Sequence, residues 1–140
     1  MCKIADALMM IGLLSCAIYD WRKKEIPIIC VIGVGFVAVF TLFFLRKANV
    51  ADVIGGAFLG LSCLFVSKWT NQAVGYGDSL LILTLGVYMG GIKLLQLLFI
   101  ATTVAAFFAL FCLWKRKWKR NATIPFVPFM MLAYVGVMFI

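Results

Sequence analysis

Residues 79–114 read SLLILTLGVYMGGIKLLQLLFIATTVAAFFALFCLW, and the division of this stretch decides the fold. Lys93 is its only charge. As one helix the stretch would run about 54 Å at 1.5 Å per residue, far beyond a hydrocarbon core roughly 30 Å thick. The chain therefore turns back near Gly90-Gly91-Ile92-Lys93, where two glycines adjoin a charge. Two spans result, over residues 79–90 and 92–114.

Further apolar runs lie at residues 4–19, 27–45, 53–67 and 124–140, divided by the polar breaks WRKKE, RKANVAD, SKWTNQAVGYG and KRKWKRNAT. Apolar residues make up 66% of the chain and mean hydropathy is +1.13. No water-soluble core of this size needs so much. The expected fold is all-α, a polytopic bundle of about six transmembrane helices forming a single domain over residues 1–140. At about 20 residues per crossing, little chain is left for a soluble domain. The first run resembles a signal peptide in length, but it carries Asp6, lacks a small-x-small cleavage site before Asp20 and is followed by more spans. It reads as a retained helix.

The net charge is +8, but the basic residues sit in short clusters between spans, so they read as topology signals and nucleic acid is excluded as a partner. Six alternating crossings put Arg22, Lys23, Lys24, Lys68, Lys115, Arg116, Lys117, Lys119 and Arg120 on one side, and Lys3, Arg46, Lys47 and Lys93 on the other. Nine against four places the first side in the cytoplasm and both termini outside. The cluster at residues 115–120 then faces anionic headgroups, with Trp114 and Trp118 as interfacial anchors. The five cysteines are scattered without a C-x-x-C pair and there is no histidine, so the usual zinc and haem ligands are lacking and the cysteines read as packing residues. No metal and no cofactor is called for.

Only five acids occur, Asp6, Asp20, Glu25, Asp52 and Asp78. An ionisable group at or within a bilayer is costly, so each needs a reason. Asp20 ends the first span on the cytoplasmic side, and two crossings later Asp78 opens the fourth span on that same side, so the two can meet. Asp6 and Asp52 fall at helix starts on the outer side, where a carboxylate near a positive helix N-terminus has an ordinary stabilising role. Glu25 shares a short loop with three basic residues and reads as a solvated ion-pair former.

Two carboxylates at one membrane boundary are the minimum equipment for aspartic hydrolysis. Like charges sharing a site cannot both ionise cheaply, so one stays protonated to polarise a carbonyl while the other takes a proton from water. Gly75-Tyr76-Gly77 precedes Asp78, and its glycines allow a tight turn with room for an extended substrate beside the carboxylate. Ile26-Pro27 closes the loop after Asp20, and the proline suits the first turn of the second helix.

Asp20 followed by Ile26-Pro27, then Gly75-Tyr76-Gly77-Asp78, then Ile124-Pro125-Phe126-Val127-Pro128-Phe129 resembles the type IV prepilin peptidases, the GxGD membrane aspartyl proteases, along the whole chain. The resemblance implies an endopeptidase that cleaves a short basic leader from a prepilin or pseudopilin precursor at the inner face of a prokaryotic plasma membrane. It implies Asp20 and Asp78 as the catalytic pair and Gly75, Tyr76 and Gly77 as the substrate-positioning motif. Ile26, Pro27, Pro125 and Pro128 become supporting residues. Larger relatives add an N-methyltransferase region with cysteine pairs, and nothing in these 140 residues corresponds to it, so the short peptidase-only form is expected.

Many relatives continue as Gly-Asp-hydrophobic-Lys where this chain has Asp78-Ser79-Leu80, and many carry Asn where Ile28 stands. These departures bear on substrate preference and efficiency, and the rival within the family is a weakly active divergent member. A rival of another class is a small proton-coupled transporter using Asp20 or Asp78, but transporter acids belong near the bilayer midplane. A presenilin-like protease shares the Tyr19-Asp20 and Gly75-Tyr76-Gly77-Asp78 pairing, but this chain is short for it and lacks a Pro-Ala-Leu segment.

Overall fold

The computed structural model describes residues 2–23, 27–44, 49–70, 76–115 and 126–139. These form six helices: α1 (Cys2–Lys23), α2 (Ile28–Phe44), α3 (Val50–Trp69), α4 (Tyr76–Met89), α5 (Gly91–Trp114) and α6 (Val127–Phe139). Among the described residues there is no strand, as expected where each backbone N–H and C=O must be satisfied within its own segment. The turn inside residues 79–114 falls at Gly90, whose φ of 89° is a conformation that side chains disfavour. A Cβ there would also crowd Asp52 of α3.

By length and hydropathy α1, α3 and α5 are long enough to cross a membrane, whereas α2, α4 and α6 are shorter apolar helices. The chain is an all-α polytopic membrane protein. Large apolar side chains such as Ile29, Phe36, Phe43, Phe58 and Phe99 point outward, the arrangement of a bundle solvated by lipid.

Packing follows a ring, α1 to α2 to α4 to α5 to α6 and back to α1, while α3 lies outside it against α4 and α5. The ring encloses the core: Met9 and Leu13 of α1, Val34 of α2, Leu81 and Leu85 of α4, Leu94 and Leu97 of α5, Met130 and Tyr134 of α6. The buried residues of α3 are Gly56, Gly60 and Ser67, small residues that let backbones come close where lipid removes the hydrophobic drive for association. A Cβ on Gly56 would collide with the Gly86 carbonyl, and one on Gly60 would lie 2.5 Å from the Leu83 Cα. Gly91 packs in turn against the Gly55-Gly56 backbone, so the stripe seats both α4 and the start of α5.

Helix ends gather at two poles. The C-terminal end of α1 meets the N-terminal end of α6. At the other pole the N-terminal part of α1 meets the C-terminal end of α4, and Gly90 meets the start of α3.

Candidate active site

Asp20 lies three residues before the end of α1, which runs on to Lys23 instead of stopping at residue 19. Its side chain is buried, 6% exposed. The backbone N–H of Val127 donates to Asp20 Oδ2 at 3.3 Å. Val127 is the first residue of α6, and the first N–H groups of a helix have no partner within it. Asp20 therefore occupies the positive end of α6, where a carboxylate is stabilised by the helix dipole. Pro128 follows in the same first turn, where a missing N–H costs nothing. Its supporting role is local: it shapes the start of the helix whose first donor reaches Asp20.

Asp78 lies in the first turn of α4. The motif thus differs from the loop expected from sequence: Tyr76 and Gly77 are the first two residues of the helix, and the span starts at residue 76, not 79. Helical geometry explains the shift, because an acid in the first turn favours the dipole and extends the helix through it. Tyr76 is exposed and Gly77 half-buried. Gly75, Ile26 and Pro125 lie outside the described residues, as do Glu25 and the cluster at residues 116–120. Pro27 immediately precedes α2, and its carbonyl accepts the first helical bonds, from the N–H of Cys30 at 3.0 Å and of Val31 at 3.4 Å. It caps α2 from one residue outside its first turn.

The structure brings Asp20 and Asp78 close enough for their charges to act on one another. They come from two helices that both lie close against α2. Asp78 Oδ1 is buried, and among the described residues no hydrogen-bond donor reaches it. Buried carboxylate oxygens are rarely left so. One oxygen of Asp20 is committed to α6, then, while one oxygen of Asp78 is buried and meets no donor among the described residues. Ser79, beside Asp78, is fully buried, as is Ser67 on the neighbouring α3. Among the described residues no group of three His, Cys, Asp or Glu side chains comes together to hold a metal ion.

Two features of this arrangement have no counterpart in the sequence reading. The Val127 donor is a backbone group, so no residue type announces it. The Tyr88 hydroxyl donates to Asp6 at the opposite pole, whereas the sequence reading has Asp6 serve only its own helix start. A lone acid and a lone tyrosine 82 residues apart carry no spacing signature.

The type IV leader peptidase family matches residues 7–110, a segment that contains both aspartates and the motif glycines. The chain belongs to the type IV leader peptidase family. Among individual relatives, a prepilin leader peptidase/N-methyltransferase of Burkholderia pseudomallei (strain K96243) is 29% identical over 96 residues, covering 68% of this chain and 31% of the relative. One of the same name from Pseudomonas aeruginosa is 26% identical over 129 residues, covering 87% of this chain and 44% of the relative. The chain thus spans between about a third and a half of the length of these leader peptidase relatives. No solved structure matches. Within the leader peptidase family match lie most of α1, all of α2 to α4 and most of α5, whereas α6, which holds Asp20 by its first N–H, falls beyond it.

Proposed function

We propose that this chain is a membrane aspartic endopeptidase that removes the short leader from type IV prepilin or pseudopilin precursors at the cytoplasmic face of the membrane. The juxtaposition of Asp20 and Asp78 at one pole of the bundle carries the reading. Membership of the type IV leader peptidase family supports the peptidase activity. The names of the relatives support a prepilin as substrate.

Two carboxylates that repel one another in a low-dielectric site hold one proton between them. The ionised member takes a proton from water as the water oxygen attacks the scissile carbonyl, while the protonated member donates to the developing oxyanion. Collapse of the tetrahedral intermediate then returns a proton to the departing nitrogen. The open acceptor position on Asp78 Oδ1 suits the water. The Val127 N–H keeps Asp20 from swinging toward bulk solvent. The exposed Tyr76 stands at the rim, where a substrate strand would approach.

Nine of the thirteen basic residues fall on the side of Asp20 and Asp78, which supports a cytoplasmic site with both termini outside. A basic leader would be concentrated there by anionic headgroups, not by the like-charged loops. A proton-coupled transporter is disfavoured, because both acids lie near helix ends instead of the midplane.

Co-expression with a prepilin from the same genome tests the proposal, read by a gel shift and N-terminal sequencing of the product. Wild type should cleave before the hydrophobic helix of the pilin, and Asp20→Asn and Asp78→Asn should each lose about 100-fold or more, the range of a positioned acid or base. Cleavage that persists in either folded variant would refute the dyad.

A further inference from the structure

The helices carrying Asp20 and Asp78, α1 and α4, contribute side chains to one core, and α2 lies close against both. Polar groups of the two helices also face one another at the two poles. At one pole the Asp20 and Asp78 carboxylates lie near enough to interact. At the other the Tyr88 hydroxyl donates to Asp6 Oδ1. Asp6 is fourteen residues before Asp20 on α1, and Tyr88 ten residues after Asp78 on α4, so about 21 Å and 15 Å of continuous helix separate this bond from the aspartates.

A straight helix transmits the position of one end to the other. Like charges at the aspartate pole favour separation of the two helix ends, and a bond at the far pole joins the same two helices and opposes their tilting apart. Tyr88 is itself held in the core, 4% exposed, so the phenol is a fixed anchor and not a surface side chain that happens to reach an acid. The Gly90 turn against Asp52 and the Gly56 contact with Gly86 fix this end of α4 to α3 as well. Asp6 ties α1 to that framework.

We infer that Asp6 and Tyr88 are positioning residues for the dyad: their hydrogen bond at the far pole sets the spacing of Asp20 and Asp78 through the lengths of α1 and α4. This rests on the aspartic peptidase reading for its catalytic consequence, but the spacing itself is measurable without activity. The bond matters to chemistry because a displacement of about 1 Å at a catalytic group can cost up to about 100-fold in rate.

The test has two arms on the full chain in nanodiscs. In the first, Tyr88→Phe, Asp6→Ala and Asp6→Asn are assayed for prepilin cleavage under saturating substrate. Tyr88→Phe removes the donor and Asp6→Ala removes the acceptor, so both should lower kcat about tenfold with KM changed less than about twofold. Asn keeps an acceptor oxygen for the tyrosine, so Asp6→Asn should recover most of the rate. In the second arm, spin labels at positions 23 and 76, introduced as cysteines with the native cysteines replaced by serine or alanine, report the distance between the catalytic ends of α1 and α4. Tyr88→Phe and Asp6→Ala should broaden and lengthen that distribution, and Asp6→Asn should restore it.

A bond that only satisfies a polar pair would lower yield or melting temperature while leaving both the distance distribution and the kcat of the folded fraction unchanged, and that result would overturn the inference. Should Tyr88→Phe fail to fold, Asp6→Ala against Asp6→Asn decides alone. If wild type cleaves no prepilin but the distances shift as described, the peptidase reading fails and the tether stands.

Discussion

Asp20 has two oxygens and two neighbours that matter, the α6 N-terminus on Oδ2 and Asp78 across the site. Its hydrogen bond of 3.3 Å is longer than the usual range, so its contribution to stability is small, about 0.6–1.5 kcal/mol in a membrane protein. Its effect on orientation is larger, because it is the described contact that fixes the rotamer of the carboxylate. Val127→Pro removes the donor at a first helical position, which tolerates proline, while also changing a fully buried side chain. We expect a lowered melting temperature and, in the folded fraction, a kcat lowered about tenfold in the prepilin cleavage assay. A large loss of stability with no kinetic effect in the folded fraction would make the contact purely structural. Asp20 and Asp78 stand out in the sequence because acids are so scarce in an apolar chain, and the structure brings the two near one another. The Val127 donor was not legible, since every non-proline residue has an N–H and only chain placement selects one.

Helix α4 shows how an element can be read correctly in kind and misread in extent. Apolarity identified a span, but the expected start at residue 79 fell inside the helix, which begins at Tyr76. Hydropathy sees where polar residues stop, whereas the helix starts where backbone geometry and the dipole permit, and an acid in the first turn is favourable there. The same holds for α1, which runs through Asp20 to Lys23. Gly55, Gly56 and Gly60 give α3 a face of small residues suited to close packing, but their spacing in the sequence names no partner. The structure pairs that face with Gly86, Leu83 and Gly91. Gly56→Val should cost about 1–3 kcal/mol or more, because the obstacle is the Gly86 carbonyl, which cannot rotate away as a side chain would. Gly33 has nothing within 4 Å of an added Cβ, so Gly33→Ala should be neutral or stabilising by up to about 1 kcal/mol. Thermal unfolding of both in one detergent checks the contrast, and equal melting temperatures would refute the close α3–α4 contact.

At the scale of the whole molecule, the proposed orientation rests on nine basic residues against four across six alternating crossings. Reporter fusions should therefore be active outside the cytoplasm when placed after residue 48 or residue 140, and inside when placed after residue 70 or residue 120. The reverse pattern would put the aspartates on the outer face and remove prepilin leaders from reach. The structure also orders the bundle as a ring of five helices with α3 outside, which no pattern in the sequence indicates, since all six helices are apolar and lipid offers each face the same solvent. By itself the sequence determined the number of apolar helical segments and singled out the few acids, because these depend on hydrophobic length and on the cost of charge in lipid. Only the tertiary structure decided that Asp20 rests on the N-terminus of α6, that Tyr88 holds Asp6 at the far pole and that α3 packs outside the ring. Those outcomes depend on backbone donors and on helix-to-helix shape, and neither is written in residue type or spacing.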